Sequence, residues 1–262
     1  MSTYGGAALV REVPGFGFRT CSSGPVSSED LDLELSRRRI AAGENRFPPA
    51  AAVVVALVVY ALLPSSLQFT ARLVIPCVEV LLLIALVATN PRRITRQTSW
   101  SRTASIGLAL IMIVTNFGSL GLLISELSSN GARGQNLLLG AMQLWVTNVI
   151  GFALLYWELD RGGPVARRSM RRDELPDADW RFSQDENDEA VDEVSRTASK
   201  PSGWVPIFLD YLYVSVTNSS AFSPTDTMPL TSRAKVFMGL QATAALLISL
   251  LLVAKAVGSL GG

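Results

Sequence analysis

The sequence predicts an all-α fold, a polytopic membrane helix bundle of about six transmembrane helices. Three observations carry that expectation. Of 262 residues, 49% are hydrophobic and only 17% charged, with a mean hydropathy of +0.33, whereas roughly a quarter of a soluble domain is charged. The apolar residues form long runs, several near the ~20 residues that cross a hydrocarbon core. The charges stand in blocks between those runs, as loops between membrane helices do. Net charge is +1 and histidine is absent, so nothing argues for nucleic acid as a partner, and imidazole catalysis or metal ligation is excluded. The two cysteines, Cys21 and Cys77, make neither a disulfide framework nor a metal cluster. Cys77, inside an apolar run, reads as a small buried residue. No cofactor is expected.

Taken in order, residues 1–46 are rich in Gly, Ser, Arg and Glu without a sustained apolar period, and read as a disordered cytoplasmic tail. No apolar stretch follows the first basic residues, so a signal peptide is not expected. Arg37, Arg38 and Arg39 read as a topology signal before the first span. Residues 47–158 then read as a four-helix transmembrane region. The first span, about Pro48 to Leu63, opens on a proline pair and ends near Pro64. The second, about Leu73 to Thr89, is interrupted by Pro76 and stopped by Asn90-Pro91. The third and fourth run about Ala104 to Glu126 and Asn136 to Trp157, joined by the turn-forming Ser128-Ser129-Asn130-Gly131.

Residues 159–203 read as a charged linker. Arg161, Arg167, Arg168, Arg171 and Arg172 come first, followed by an acidic run from Asp173 to Glu193. Lacking hydrophobic periodicity, the segment is not expected to bury a core. Asp185-Glu186-Asn187-Asp188 lacks the glycine turn of a calcium loop, so no metal site is expected. Apolar character returns in Val205 to Phe222 and in Val236 to Val257. Basic residues in short loops stay cytoplasmic, which sets the threading. An N-terminus inside collects Arg37 to Arg46, Arg92 to Arg102 and Arg161 to Arg172 on one face, and leaves Arg72, Arg133, Arg233 and Lys235 outside. That partition makes Val205 to Phe222 a crossing helix and puts both termini in the cytoplasm.

Polar groups within the apolar runs are the candidate site residues. Glu79 and Asp210 are intramembrane carboxylates. An ionised carboxylate costs at least ~2.5 kcal/mol at the bilayer centre, so each is expected to be protonated, paired or facing water. Asp210 has the alternative of lying among headgroups, beside Trp204, Tyr211 and Tyr213. Asn116, Gln143, Asn148, Asn218 and Gln241 suit hydrogen bonds between helices. No Ser-His-Asp set, metal cluster or phosphate loop is present, and no enzyme is expected.

Tyr211 to Val257 begins as an aromatic and hydroxyl-rich helix, breaks at Ser223-Pro224-Thr225-Asp226 and resumes as an apolar helix. Setting Asp226 against the aspartate of the signature TVGYGD aligns Pro229, Thr231, Ala234 and Lys235 with the turn and helix start that follow it. Ser215, Thr217 and Ser220 then match hydroxyl positions before it. In that layout residues 204–262 resemble a degenerate two-helix potassium-channel pore module. Ala221, Phe222, Ser223, Pro224 and Thr225 replace the filter. Without glycines, and with Pro224 fixing φ and lacking an N–H, that stretch favours a turn over a column of carbonyls.

Trp157 to Pro164, the charged linker and this module are together similar to an uncharacterised family of bacterial integral membrane proteins. The channel resemblance implies an alternative fold of five spans plus a re-entrant pore helix and loop dipping from outside. It implies an ion-channel-like or transporter-like protein, multi-pass in the plasma (inner) membrane. Its pathway would be lined by Thr217, Asn218, Ser219, Ser220, Ser223, Thr225 and Asp226, and it would be a homo-oligomer, tetrameric if channel-like. In either threading the loop at Ser223 to Asp226 lies outside. The other function weighed is a non-conducting membrane scaffold or assembly protein whose charged linker docks a protein partner.

Overall fold

The computed structural model describes residues 43–68, 74–89, 93–94, 99–128, 134–186, 189–220 and 226–260. Cys21, Ser223, Pro224, Thr225 and all of the expected disordered tail except 43–46 lie outside them. The principal helices are α1 (Phe47–Ala61), α2 (Val74–Thr89), α3 (Ser99–Ser128), α4 (Gly134–Leu159), α5 (Phe208–Ser220) and α6 (Ser232–Leu260). Together they form an all-α bundle with the composition of a membrane protein. Segments Trp100–Leu127, Leu137–Gly162 and Ser232–Ala254 are long and apolar enough to cross a membrane, and Phe47–Ala61 and Pro76–Ala85 are shorter apolar helices. α4 is central, with 61% of its apolar window buried, and α6 is peripheral, with 28%.

Helix starts follow proline chemistry. Pro48 and Pro49 stand in the first turn of α1, where backbone N–H groups have no intrahelical acceptor to lose. Pro76 stands likewise in the first turn of α2, so it opens the helix rather than interrupting it. Two residues along a helix turn a side chain by about 200°. Glu79 faces inward, which sends Cys77 outward, exposed rather than buried as expected. On the turn Ser65–Leu67, the fully buried Leu67 sits over Gly140, where a Cβ would run into the leucine Cδ1.

Side-chain partners fix the helix directions. α4 meets α5 through Trp157 with Phe208 at one level and Val149 with Ser215 further in, so these two run antiparallel. α4 meets α6 through Tyr156 with Gln241, and through Leu137, Ala141 and Leu144 in one cluster with Ala244 and Ile248, again antiparallel. α5 and α6 therefore run parallel, both starting at the end where α4 stops. After α5 the chain returns to that same end: β4 (Met228–Pro229) pairs antiparallel with β3 (Trp180–Arg181). β1 (Glu44–Asn45) and β2 (Arg93–Ile94) pair at this end as well.

α5 is shorter than the helix expected over Val205 to Phe222. α5 has 13 residues, about 20 Å of helix against a hydrocarbon core of about 30 Å. Pro206 and the bond from Asp210 to the Ile207 N–H start it three residues late. Glu44 and the last turn of α6 consequently lie at opposite ends of the bundle, not on one face.

Residues 160–205 also depart from the expected coreless linker. Trp180, Phe182 and Ala198 are buried there, with Asp179 and Arg167. Trp180 packs on Tyr156 at 4.7 Å and Tyr211 at 6.3 Å, and Phe182 on Tyr211 at 5.5 Å and Trp204 at 5.7 Å. Two aromatics thus seal the segment onto the bundle without any apolar period to announce it.

Candidate functional site

The start of α5 is held by carboxylates, as the positive end of a helix dipole favours. Glu44, from before α1, accepts from the Phe208 N–H at 2.9 Å and from Trp157 Nε1 at 2.8 Å. Asp210 accepts from the Ile207 N–H at 2.7 Å, so its carboxylate caps its own helix, half-buried at the bundle end.

Beside it lies a buried ionic cluster. Asp160, the residue after α4, accepts from the backbone N–H groups of Asp179 at 2.7 Å and Trp180 at 3.4 Å, and from the Tyr211 hydroxyl at 2.5 Å. The chain leaves Asp160 through positive φ at Arg161 (49°), Gly162 (78°) and Gly163 (95°), which the glycines adopt at little cost. Arg161 is tied down there by Asp185 at 2.6 Å. The turn brings Arg167 under α4, fully buried, where Nη1 donates to the carbonyls of Trp157 at 2.8 Å and Asp160 at 2.7 Å. Those last-turn carbonyls carry the negative end of the helix dipole. The guanidinium also stands 4.9 Å over the Tyr211 ring. Asp179 accepts from Thr231 Oγ1 at 2.5 Å and from Arg233 at 2.7 and 2.6 Å. Thr231 in turn caps α6 by accepting from the Ala234 N–H at 3.3 Å. One stretch, 160–180, thereby fastens the end of α4, the start of α5 and the start of α6.

Deeper in the bundle Gln241 is the hub. Its Nε2 donates to Ser215 O at 3.1 Å, Ser215 Oγ at 2.5 Å and Ser219 Oγ at 2.9 Å. Its Oε1 accepts from the Tyr156 hydroxyl at 2.6 Å and Asn218 Nδ2 at 2.9 Å. Asn218 also donates to Met238 O at 3.0 Å, and Ser215 to Val149 O at 2.7 Å. Three helices, α4, α5 and α6, are joined at one amide.

Of the pathway residues named from the sequence, Asn218 and Ser219 are thus brought together, facing α6. Thr217 is half-buried and returns its hydroxyl to the carbonyls of Tyr213 and Val214, both at 3.0 Å. Ser220 and Asp226 are exposed. Ser223 and Thr225 lie outside the described residues. Glu79 belongs elsewhere, to a cavity between α1, α2, α3 and α4. Among the described residues, no group of three or more His, Cys, Asp or Glu side chains is placed to hold a metal.

Asp160, Arg167 and Asp179 were not singled out by the sequence. Arg167 is one of five arginines between 161 and 172 and nothing local distinguishes it. The available signal was Arg161-Gly162-Gly163, a sharp turn directly after a span, which obliges the next residues to fold back on the helix end. No family model, no curated protein and no solved structure matches this chain.

Proposed function

We propose that this chain is one subunit of a cation-conducting, channel-like membrane protein whose pathway is formed at the half-helix α5. The observation that carries this is that α5 and α6 enter the bundle from the same end, so the chain dips in and returns. The inward end of a half-helix also presents last-turn carbonyls that suit a cation.

In this reading α1, α2, α3, α4 and α6 cross the bilayer and α5 is re-entrant. Arg93 of β2, the arginines at 161–172 and Arg233 belong to one end of the bundle. Basic loops stay cytoplasmic, so α5 enters from the cytoplasm, α6 runs outward and the C-terminus is outside. That reverses the sense of the potassium-channel module the sequence resembles. Ser220 and Asp226 line the pathway with Thr217 beside them, while Asn218 and Ser219 anchor α5 to α6. The outward apolar face of α6, including Val236, Leu240, Leu250 and Val253, packs against neighbouring subunits, four of them if the channel likeness extends that far. A non-conducting assembly protein is the second reading, favoured because the hydrogen bonds around Gln241 close within one chain.

Single cysteines Ser195→Cys, Asp226→Cys and Leu260→Cys, in a chain lacking Cys21 and Cys77, test the threading with a membrane-impermeant thiol reagent on intact cells. The first two should be protected until cells are opened, and the third labelled from outside. With Ser195→Cys still protected, labelling of Asp226→Cys from outside and protection of Leu260→Cys would sink the re-entrant arrangement. Purified protein in liposomes under a potassium or sodium gradient should pass cations, and Asp226→Lys should reduce the flux several-fold. The predicted threading with no flux would leave the assembly reading.

A further inference from the structure

Away from α5, a second polar centre lies between α1, α2, α3 and α4. Glu79 on α2 is 4% exposed and lines a cavity of about 20 Å³ with Tyr60 of α1, Met112, Thr115 and Asn116 of α3, and Leu144 and Thr147 of α4. Asn116 commits its Nδ2 to α4, donating to Leu144 O at 2.8 Å and Thr147 Oγ1 at 2.6 Å. The Thr147 hydroxyl is in turn directed at its own helix, toward the carbonyls of Gln143 and Leu144, both at 3.1 Å. Asn116 Oδ1 is left buried without a donor. The centre therefore contains an amide oxygen that needs a hydrogen and a carboxyl group that offers one only when protonated. An ionised Glu79 would instead add a second acceptor-only group, with no lysine or arginine on the cavity wall among the described residues to balance it. A cavity of this size holds about one water, enough to link the carboxyl O–H to the amide if they do not meet directly.

We propose that Glu79 is an occluded proton-binding site, its carboxyl taking up and releasing one proton within the α1 to α4 bundle. The ligand is the proton alone: the acid form loses H⁺ to water and leaves the carboxylate, with nothing oxidised or transferred besides. Tyr60 is the titratable group facing Glu79 from α1. α3 and α4 present only the neutral Met112, Thr115, Asn116, Leu144 and Thr147 to the cavity. The site stands on side chains of α1 to α4 and does not depend on how α5 is threaded.

Infrared difference spectroscopy of the full chain in lipid films, titrated from about pH 5 to about pH 10, reads the carbonyl band of a protonated carboxylic acid. The expected result is a band lost reversibly as pH rises, missing in Glu79→Gln and shifted but present in Glu79→Asp, and identical in sodium and choline chloride. Should Glu79→Gln fail to fold, the Glu79→Asp shift alone assigns the band. A band absent at the acid end, one that no alkali removes, or one displaced by sodium at fixed pH would each overturn the proposal, the last by making the ligand a metal cation.

Discussion

Replacing Gln241 by leucine tests whether the amide hub, rather than apolar packing, holds α5 in place. The substitution nearly keeps side-chain volume but removes both the acceptor and the donors. Tyr156 loses the acceptor of its hydroxyl, Ser219 loses its donor, and Asn218 keeps only Met238 O, while Ser215 retains Val149 O. Interhelical hydrogen bonds in membranes average about 0.6 kcal/mol and reach about 1.7. Three such losses give about 2 to 5 kcal/mol, and about 3 is the expected value because the site is fully buried. That is roughly a hundredfold in the folding constant. Reversible denaturation in mixed micelles, followed by tryptophan fluorescence, to which Trp180 packed on Tyr156 contributes, measures it. Tyr156→Phe made in the Gln241→Leu background should cost almost nothing further, a coupling of about 1 kcal/mol. Thr243→Leu, whose hydroxyl bonds only Gly239 O on the exposed face, should stay within about 0.5 kcal/mol. A Gln241→Leu cost as small as that of Thr243→Leu, or additive effects with Tyr156→Phe, would refute the hub.

Two further substitutions probe the ends of the bundle. Arg167→Lys keeps the charge but loses the planar group that reaches two carbonyls and covers Tyr211, so the same denaturation assay should show a loss of about 2 kcal/mol. Gly140→Ala drives a methyl into Leu67 and should cost about 1 to 3 kcal/mol. Adding Leu67→Ala to it should cost less than Leu67→Ala costs alone.

The apolar helices were legible because the property that places them is local. α1, α2, α3, α4 and α6 lie within a few residues of their apolar runs, and Pro64 and Asn90-Pro91 mark where two of them stop. The shortness of α5 was not, since Val205 to Phe222 is apolar enough to read as a span. What shortens it is an Asp210 side chain bonded to Ile207 and a Glu44 reaching in from before α1, neither visible in a hydropathy pattern. The arginine rule speaks to which loops stay cytoplasmic, but it carries no information on where the next helix starts or how long it runs. Within the candidate site, Asn218 and Ser219 were read as pathway residues and Gln241 as a generic interhelical amide, and no sequence pattern announced that Gln241 bonds both of them and Ser215. The ionic cluster escaped because its charges are paired over tens of residues and look, in sequence, like a solvated charge run.

The bond between Glu44 and Phe208 spans 164 residues, and those from Asp160 to Asp179 and to Tyr211 span 19 and 51. A ribosome making this chain must therefore complete the first four helices while their shared end is still open. Until α5 is synthesised, the Asp160 carboxylate lacks its hydroxyl donor and Arg167 lacks the ring that covers it. Closure of that end is then a late, post-insertion step, and the waiting intermediate exposes charged groups that a quality-control protease or chaperone can grip. Truncations that stop before Phe208 should accordingly be short-lived in cells even though every earlier helix is intact.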